Sequence, residues 1–247
     1  EAFGMRSEEQ LLEHRLTRRF QQALVDYSLI DDGDKILVGL SGGKDSLCLL
    51  ELLAKRCRIQ RPSFSVEAIH VRMENIEYAT DTSYLQSFCE QLGVRLHVVT
   101  TRFDDSKPTK KCFLCSWHRR KEMFRLAQEL DFNKIALGHH NDDIIHTALM
   151  NLTFQGQFST MPAKLEMSKM PLTIIRPLCL IAEKDIKRWA ELQKYEKQLK
   201  LCPFETVSHR ADIKRIYGEM ENINPETRFS IWNALESDNK LIEKATN

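Results

Sequence analysis

The chain has 247 residues, 42% apolar and 29% charged, with 36 Lys and Arg against 35 Asp and Glu for a net charge of +1. That length suits one large α/β domain or one domain with a small appendage, and the ordinary composition excludes a disordered chain. No window approaches the roughly 18 consecutive apolar residues of a membrane helix, the N-terminal stretch rich in Glu, Arg and Gln has no secretory pattern, and seven cysteines exclude a simple disulfide framework, so a reducing, cytoplasmic setting without membrane contact is expected.

Residues 9–28 place Leu12, Leu16, Phe20, Leu24 and Tyr27 at helical spacing, an amphipathic opening helix. Lys35–Leu40 reads as a buried strand, followed by a glycine loop and a leucine-rich helix to about Cys57. A strand over Ser65–Arg72, a helix over Asp81–Leu92 and a strand over Val94–Thr100 come next. The polar stretch Arg102–Cys115, with Pro108, reads as a basic loop, and the helix after it carries Met123, Leu126, Ala127 and Leu130. Lys134–Leu137 is a strand, Gly138–Asp143 a loop, and Ile144, Ile145, Ala148, Leu149 and Leu152 the buried side of another helix. Beyond a loop with Gly156 and Pro162 lie a strand over Thr173–Arg176 and helices over Ala182–Tyr195, Ser208–Glu221 and Pro225–Leu235. Strands alternating with helices predict an open, mostly parallel α/β sheet with helices on both faces. Three segments follow: residues 1–32 as a helical N-terminal extension, 33–200 as the nucleotide-binding domain, and 201–247 as a helical C-terminal segment.

Residues 39–46 read Gly-Leu-Ser-Gly-Gly-Lys-Asp-Ser between a strand and a helix, the arrangement of a phosphate cradle. Gly42 and Gly43 permit close backbone approach, the helix start offers unpaired N–H groups, and Lys44 adds a point charge. A Walker loop is excluded: position 38 is valine where it needs glycine, and Asp45 stands where it needs a hydroxyl. Gly138-His139-His140-Asn141-Asp142-Asp143 repeats the strand, loop and helix arrangement, and in an open sheet two such loops at carboxyl ends can face one nucleotide. Asp142 and Asp143 also suit simple capping of their helix.

Cys112-Phe-Leu-Cys115 has no second C-x-x-C pair, which leaves a redox dithiol or a soft-metal site, and a mid-chain basic loop weakens the former. Cys202 follows Cys115 by 87 residues, while Cys48, Cys57, Cys89 and Cys179 read as core residues. Arg102, Lys107, Lys110, Lys111, Arg119, Arg120 and Lys121 outweigh Asp104 and Asp105 around the pair, which favours phosphate contact there. The later run Lys184 to Lys200 is interleaved with acids, as a solvated face would be.

The Ser41–Ser46 loop resembles that of the PP-loop ATP pyrophosphatases. Cys112-x-x-Cys115-x-x-x-Arg119-Arg120, Gly138-His139-His140-x-Asp142-Asp143, Met161-Pro162-x-Lys164, Ile175-Arg176-Pro177-Leu178 and Glu183-Lys184-Asp185-Ile186 extend the resemblance from about Leu16 to Asn233, to the tRNA 2-thiocytidine synthetases. The resemblance implies a Rossmann-like PP-loop fold and a [4Fe-4S] cluster on Cys112, Cys115 and Cys202 with one iron free of protein ligands. It implies an ATP site built from Ser41, Gly42, Gly43, Lys44, Asp45, Ser46, Gly138, His139 and Asp143, with Asp45 and Asp143 suited to Mg²⁺ and Arg119 to transition-state charge. Together with Asp45 and Asp143, Arg119 completes the expected catalytic set, and Lys110, Lys111 and Arg120 are the expected RNA contacts. Phe204 and Glu205 follow Cys202, where the bacterial enzymes often carry a second C-x-x-C. The expected reaction adenylates a base oxygen of tRNA and replaces it with sulfur from a cysteine desulfurase system or free sulfide. Cytidine in the anticodon loop is the first target and uridine the second; a PP-loop ligase or an ATP-binding module is the rival reading. The oligomeric state stays open, a homodimer included.

Overall fold

The computed structural model describes residues 7–78, 82–104, 106, 111–197, 200–201 and 209–244, with the side chains of 111, 200 and 201 outside the description. Helix α1 (Glu8–Asp26) starts at a capping box in which Ser7 and Gln10 satisfy each other's backbone N–H groups, and it buries Leu12, Leu16, Phe20 and Leu24 as the spacing predicts. Strand β1 (Lys35–Gly39), helix α2 (Lys44–Cys57), β2 (Ser65–Met73), β3 (Glu77–Tyr78), α3 (Ser83–Leu92) and β4 (Arg95–Thr101) form the first half. The second half has α4 (Lys111–Glu129), β5 (Lys134–Ala136), α5 (Asn141–Gln155), β6 (Lys164–Glu166), β7 (Thr173–Ile175), α6 (Glu183–Leu192), β8 (Lys200–Leu201), α7 (Arg210–Ile223), α8 (Thr227–Ser237) and β9 (Ile242–Lys244).

The main sheet has the order β4-β2-β1-β5-β7-β6-β9 and is parallel except where β6 runs against β7. From central β1 the chain steps outward through β2 to β4 and then returns across the sheet to β5. A right-handed return puts its helix on the opposite face, and the side chains obey. Leu37, Ile69 and Ile135 pack with Leu126 and Ala127 of α4, whereas Ile36, Val38, Ala68 and Ala136 face the larger core that includes α1, α2 and α5. The reversal of direction at β1 and β5 makes their carboxyl ends the crevice of the fold.

Two expectations are corrected. The Cys112–Cys115 stretch is the start of α4 and not a loop; Arg120, Lys121 and Arg125 occupy the solvent side of this helix, whose inner side holds Met123, Leu126 and Ala127. The C-terminal segment is not purely helical. Pairs Glu77↔Leu201 and Tyr78↔Lys200 make a second, two-stranded sheet, and β9 pairs with β6 in the main one. These strands, like β6, are two or three residues long and too short to carry an alternation. No described helix is long and apolar enough to cross a membrane.

Candidate active site

The loop after β1 turns at Gly42, whose φ of 91° is left-handed, and Gly43 caps α2. Ser41 Oγ accepts from Gly43 N–H at 3.3 Å and lies 3.2 Å from Ser46 Oγ, which donates to Gly43 O at 3.0 Å. These contacts hold the loop as one rigid turn around the helix start. The loop after β5 closes on it from the side. A Cβ at Gly138 would stand 3.1 Å from Asp45 C and Ser46 N and 3.2 Å from Asp45 O, so a side chain there would press the two loops apart by a few tenths of an ångström.

The second loop caps its own helix. His140 and Asp143 form a reciprocal cap: Asp143 N–H donates to His140 Nδ1 at 3.3 Å and His140 N–H to Asp143 Oδ2 at 3.1 Å. With Nδ1 accepting, the ring proton sits on Nε2, which lies 3.4 Å from Asp143 Oδ2 and 3.9 Å from Asp45 Oδ1. The two carboxylates therefore flank one buried imidazole. Burial raises the Asp45 pKa against the opposing pull of His140 and Lys44. Its Oδ1 is buried without a hydrogen bond, although Lys44 Nζ stands 3.2 Å away outside bonding geometry.

Lys44 also reaches Glu183 Oε1 at 3.3 Å, and Glu183 Oε2 accepts from Lys214 of α7 at 2.7 Å. Arg210, the first residue of α7, stands 3.4 Å from Asp143 Oδ1. Three cations and three carboxylates thus gather at the mouth, each cation against at least one carboxylate. Burial works against charge at Lys44 and Glu183, yet these partners hold Lys44 above and Glu183 below their ordinary pKa values.

His139 Nδ1 accepts from Arg176 Nε at 3.2 Å, and Arg176 NH1 donates to Pro162 O at 2.7 Å. Burial, with Arg176 beside it, pushes His139 down to about 4, and burial with Arg120 nearby lowers Arg176 to about 10. The charge of Arg120 on α4 is thus felt at Arg176. Arg119 lines a cleft of about 150 Å³ at the ends of β1, β2 and β5, together with Gly39, Ser41, His70 and Met123.

On α4, Cys112, Cys115 and Arg119 fall at i, i+3 and i+7, one stripe of the helix. Cys112 is exposed and Cys115 half-buried, where it packs with Leu114 against Met73, Ile76 and Phe103. Leu201, the neighbour of Cys202, pairs with Glu77, the residue after Ile76. Two soft donors one helical turn apart on one stripe suit a thiolate-held iron–sulfur site. Cys202 itself and Lys110 lie outside the described residues, as does the side chain of Lys111. Among the described residues no three His, Cys, Asp or Glu side chains gather as a metal site.

The predicted residues Ser41–Ser46, Gly138, His139, Asp143 and Arg119 come together. Arg210, Lys214 and Arg228 were not foreseen, since cations on an amphipathic helix read as a solvated face. Glu183 and Arg176 were visible only as members of short motifs.

The PP-loop domain family matches residues 12–197. The chain is 35% identical over 244 residues to a tRNA-cytidine(32) 2-sulfurtransferase 1 of Francisella tularensis subsp. novicida, covering 94% of this chain and 90% of that one. It is 36% identical over 232 residues to a tRNA-cytidine(32) 2-sulfurtransferase of Bordetella avium, covering 91% and 73%. Among solved structures, the U34-tRNA thiolase NcsA from Methanococcus maripaludis with its [4Fe-4S] cluster superposes with a TM-score of 0.75 at 26% identity, over 93% of this chain and 79% of that one.

Proposed function

Because the chain belongs to the PP-loop family that includes the tRNA-cytidine(32) 2-sulfurtransferases, we propose that it thiolates C2 of a cytidine in the tRNA anticodon loop, splitting ATP into AMP and pyrophosphate. Cytidine is favoured over uridine because the match to the cytidine enzymes is stronger than that to the U34 thiolase, 35% against 26% identity. One observation carries the ATP chemistry: the backbone contact at Gly138 puts Lys44, Asp45, His140 and Asp143 in one mouth at the crevice of the sheet.

A carbonyl oxygen leaves poorly. When the base oxygen attacks the α phosphorus, the bond to the β-phosphate oxygen breaks and pyrophosphate departs; sulfide then adds at the activated carbon and AMP leaves. The Gly42–Ser46 backbone and Lys44 hold phosphate charge. Asp45 and Asp143, which flank His140, would hold Mg²⁺, which commonly takes one or two carboxylates and completes its shell with water and phosphate. Arg119, in the cleft beside Ser41, steadies the phosphoryl group in transfer. Cys112, Cys115 and Cys202 would hold the cluster, which supplies an iron free to carry the sulfide. Arg120, with Lys110 and Lys111, takes the RNA backbone.

Nucleoside analysis of tRNA from cells lacking the gene tests the reading, with loss of 2-thiocytidine expected and an unchanged profile overturning it. In vitro, ADP and phosphate as products would refute the PP-loop chemistry. Protein purified without oxygen should be brown with about four irons, and Cys202→Ala should lose the colour.

A further inference from the structure

We propose that the outward flank of α4 is a stacking platform for an unpaired base of the RNA substrate, with Trp117 as the stacking ring and Arg120 and Lys121 as its phosphate contacts. The proposal rests on the tRNA reading above. Phe113, Trp117, Arg120, Lys121 and Phe124 fall at i, i+4, i+7, i+8 and i+11, a single face of the helix. The Cys112–Cys115–Arg119 stripe lies on the other side, so one helix presents the chemistry on one flank and this face on the other.

Phe113 is 63% and Trp117 47% exposed. The remaining two tryptophans are buried, with their indole N–H groups donating to Glu51 at 2.6 Å and to Tyr27 Oη at 3.0 Å. Trp117 instead faces solvent with Lys121 Nζ 5.3 Å from its ring centroid. Beside it runs a cleft of about 360 Å³ between α4 and Met170, within the roughly 300–1,000 Å³ of small-ligand sites.

Charge decides the occupant. Arg125, on the same flank, is neutralised by Glu122 and Glu129, but Arg120 and Lys121 form no ion pair among the described residues. An apolar protein partner would bury these two cations without counter-ions. An exposed ring flanked by unneutralised cations is what single-stranded nucleic acid uses, the base on the ring and the phosphates on the cations. The charge of Arg120 is also felt at Arg176, which donates to His139, so a backbone gripped at Arg120 runs toward the ATP loops.

The test is titration of the full chain with an anticodon stem–loop RNA, read by tryptophan fluorescence and by RNA affinity. The RNA should quench the emission of the wild type, and Trp117→Phe should keep most of the affinity while losing the quench. Trp117→Ala should weaken RNA binding about 5- to 150-fold, the equivalent of roughly 1–3 kcal/mol per stacked base, with an unchanged melting temperature. Wild-type affinity in Trp117→Ala, or a quench that persists in Trp117→Phe, overturns the platform and leaves the tRNA reading standing. A dimer that falls to monomers in Trp117→Ala at unchanged RNA affinity assigns the face to a second copy and also overturns it. Failure of the wild type to bind the RNA at all sinks both.

Discussion

Arg228 of α8 holds Asp142 from 86 residues away, donating to its Oδ1 at 2.7 Å while a second guanidinium nitrogen donates to Asn141 Oδ1 at 2.7 Å. The other carboxylate oxygen of Asp142 accepts the N–H of Glu183 at 2.7 Å. Burial alone would raise the Asp142 pKa, but these partners hold it below the ordinary range. Of the two adjacent aspartates, Asp142 is thus committed to fastening α5, α6 and α8 together, and Asp143 is the one turned to Asp45 and the mouth.

Arg228→Ala should destabilise the fold by on the order of 2–4 kcal/mol, somewhat under the ~3–5 of a fully buried pair because the arginine keeps 30% exposure. Urea unfolding measures it. The double variant with Asp142→Asn should be less destabilised than the sum of the single changes, and strict additivity would mean that the two do not act as a pair.

Gly138→Ala should raise the Kd for ATP roughly tenfold, about 1.4 kcal/mol. Its Cβ meets backbone atoms of Asp45 and Ser46 at 3.1–3.2 Å, and a helix start yields less readily than a flexible side chain. Gly218→Ala is the contrast. It lies within α7 with nothing within 4 Å of the new Cβ, and should stabilise by up to about 1 kcal/mol without altering ATP affinity. Equal effects of the two changes on nucleotide binding would remove the close-approach argument.

Stability should rise with pH between about 4 and 6.5 through His139. Its folded pKa is depressed to about 4 by burial and by Arg176, Arg210 and His140, against the attraction of Asp143. The unfolded chain therefore binds the proton first as pH falls, and stability is full above the ordinary histidine range and lost progressively toward pH 4. His139→Gln, whose amide oxygen can still accept from Arg176, should flatten the slope of unfolding free energy against pH over that window. An unaltered slope would assign the titration elsewhere.

The parallel sheet and both ATP loops were legible because long elements carry their period in apolar residues: Ile36, Leu37 and Val38 before one loop, Ile144, Ile145 and Ala148 after the other. Asp143 was legible as a cap and as a site candidate; it caps α5 with His140 and also stands 3.4 Å from Nε2 of that ring. The start of α4 was hidden because its first turns spend their residues on thiols and charges, so the apolar period emerges only from Met123 onward. The contribution of α7 and α8 was hidden for another reason. Arg210, Lys214 and Arg228 act through contacts made across 31 to 87 residues, and pairing at that range leaves no local pattern.

Arg210 and Lys214 should matter for pyrophosphate and not for AMP. In the structure they neutralise Asp143 and Glu183, and Lys44 shares Glu183. Incoming Mg²⁺ and triphosphate offer a better match for both sets, the carboxylates to the metal and the cations to the phosphate oxygens. Both α7 cations are at least half exposed, 50% for Arg210 and 60% for Lys214, so solvent moderates each contact. Arg210→Ala and Lys214→Ala should each weaken ATP and pyrophosphate roughly 3- to 10-fold, about 0.7–1.4 kcal/mol, and leave AMP within twofold. Calorimetric titration with the three ligands separates the cases. If AMP weakens as much as ATP, the two side chains support the loop fold and do not hold the departing phosphates.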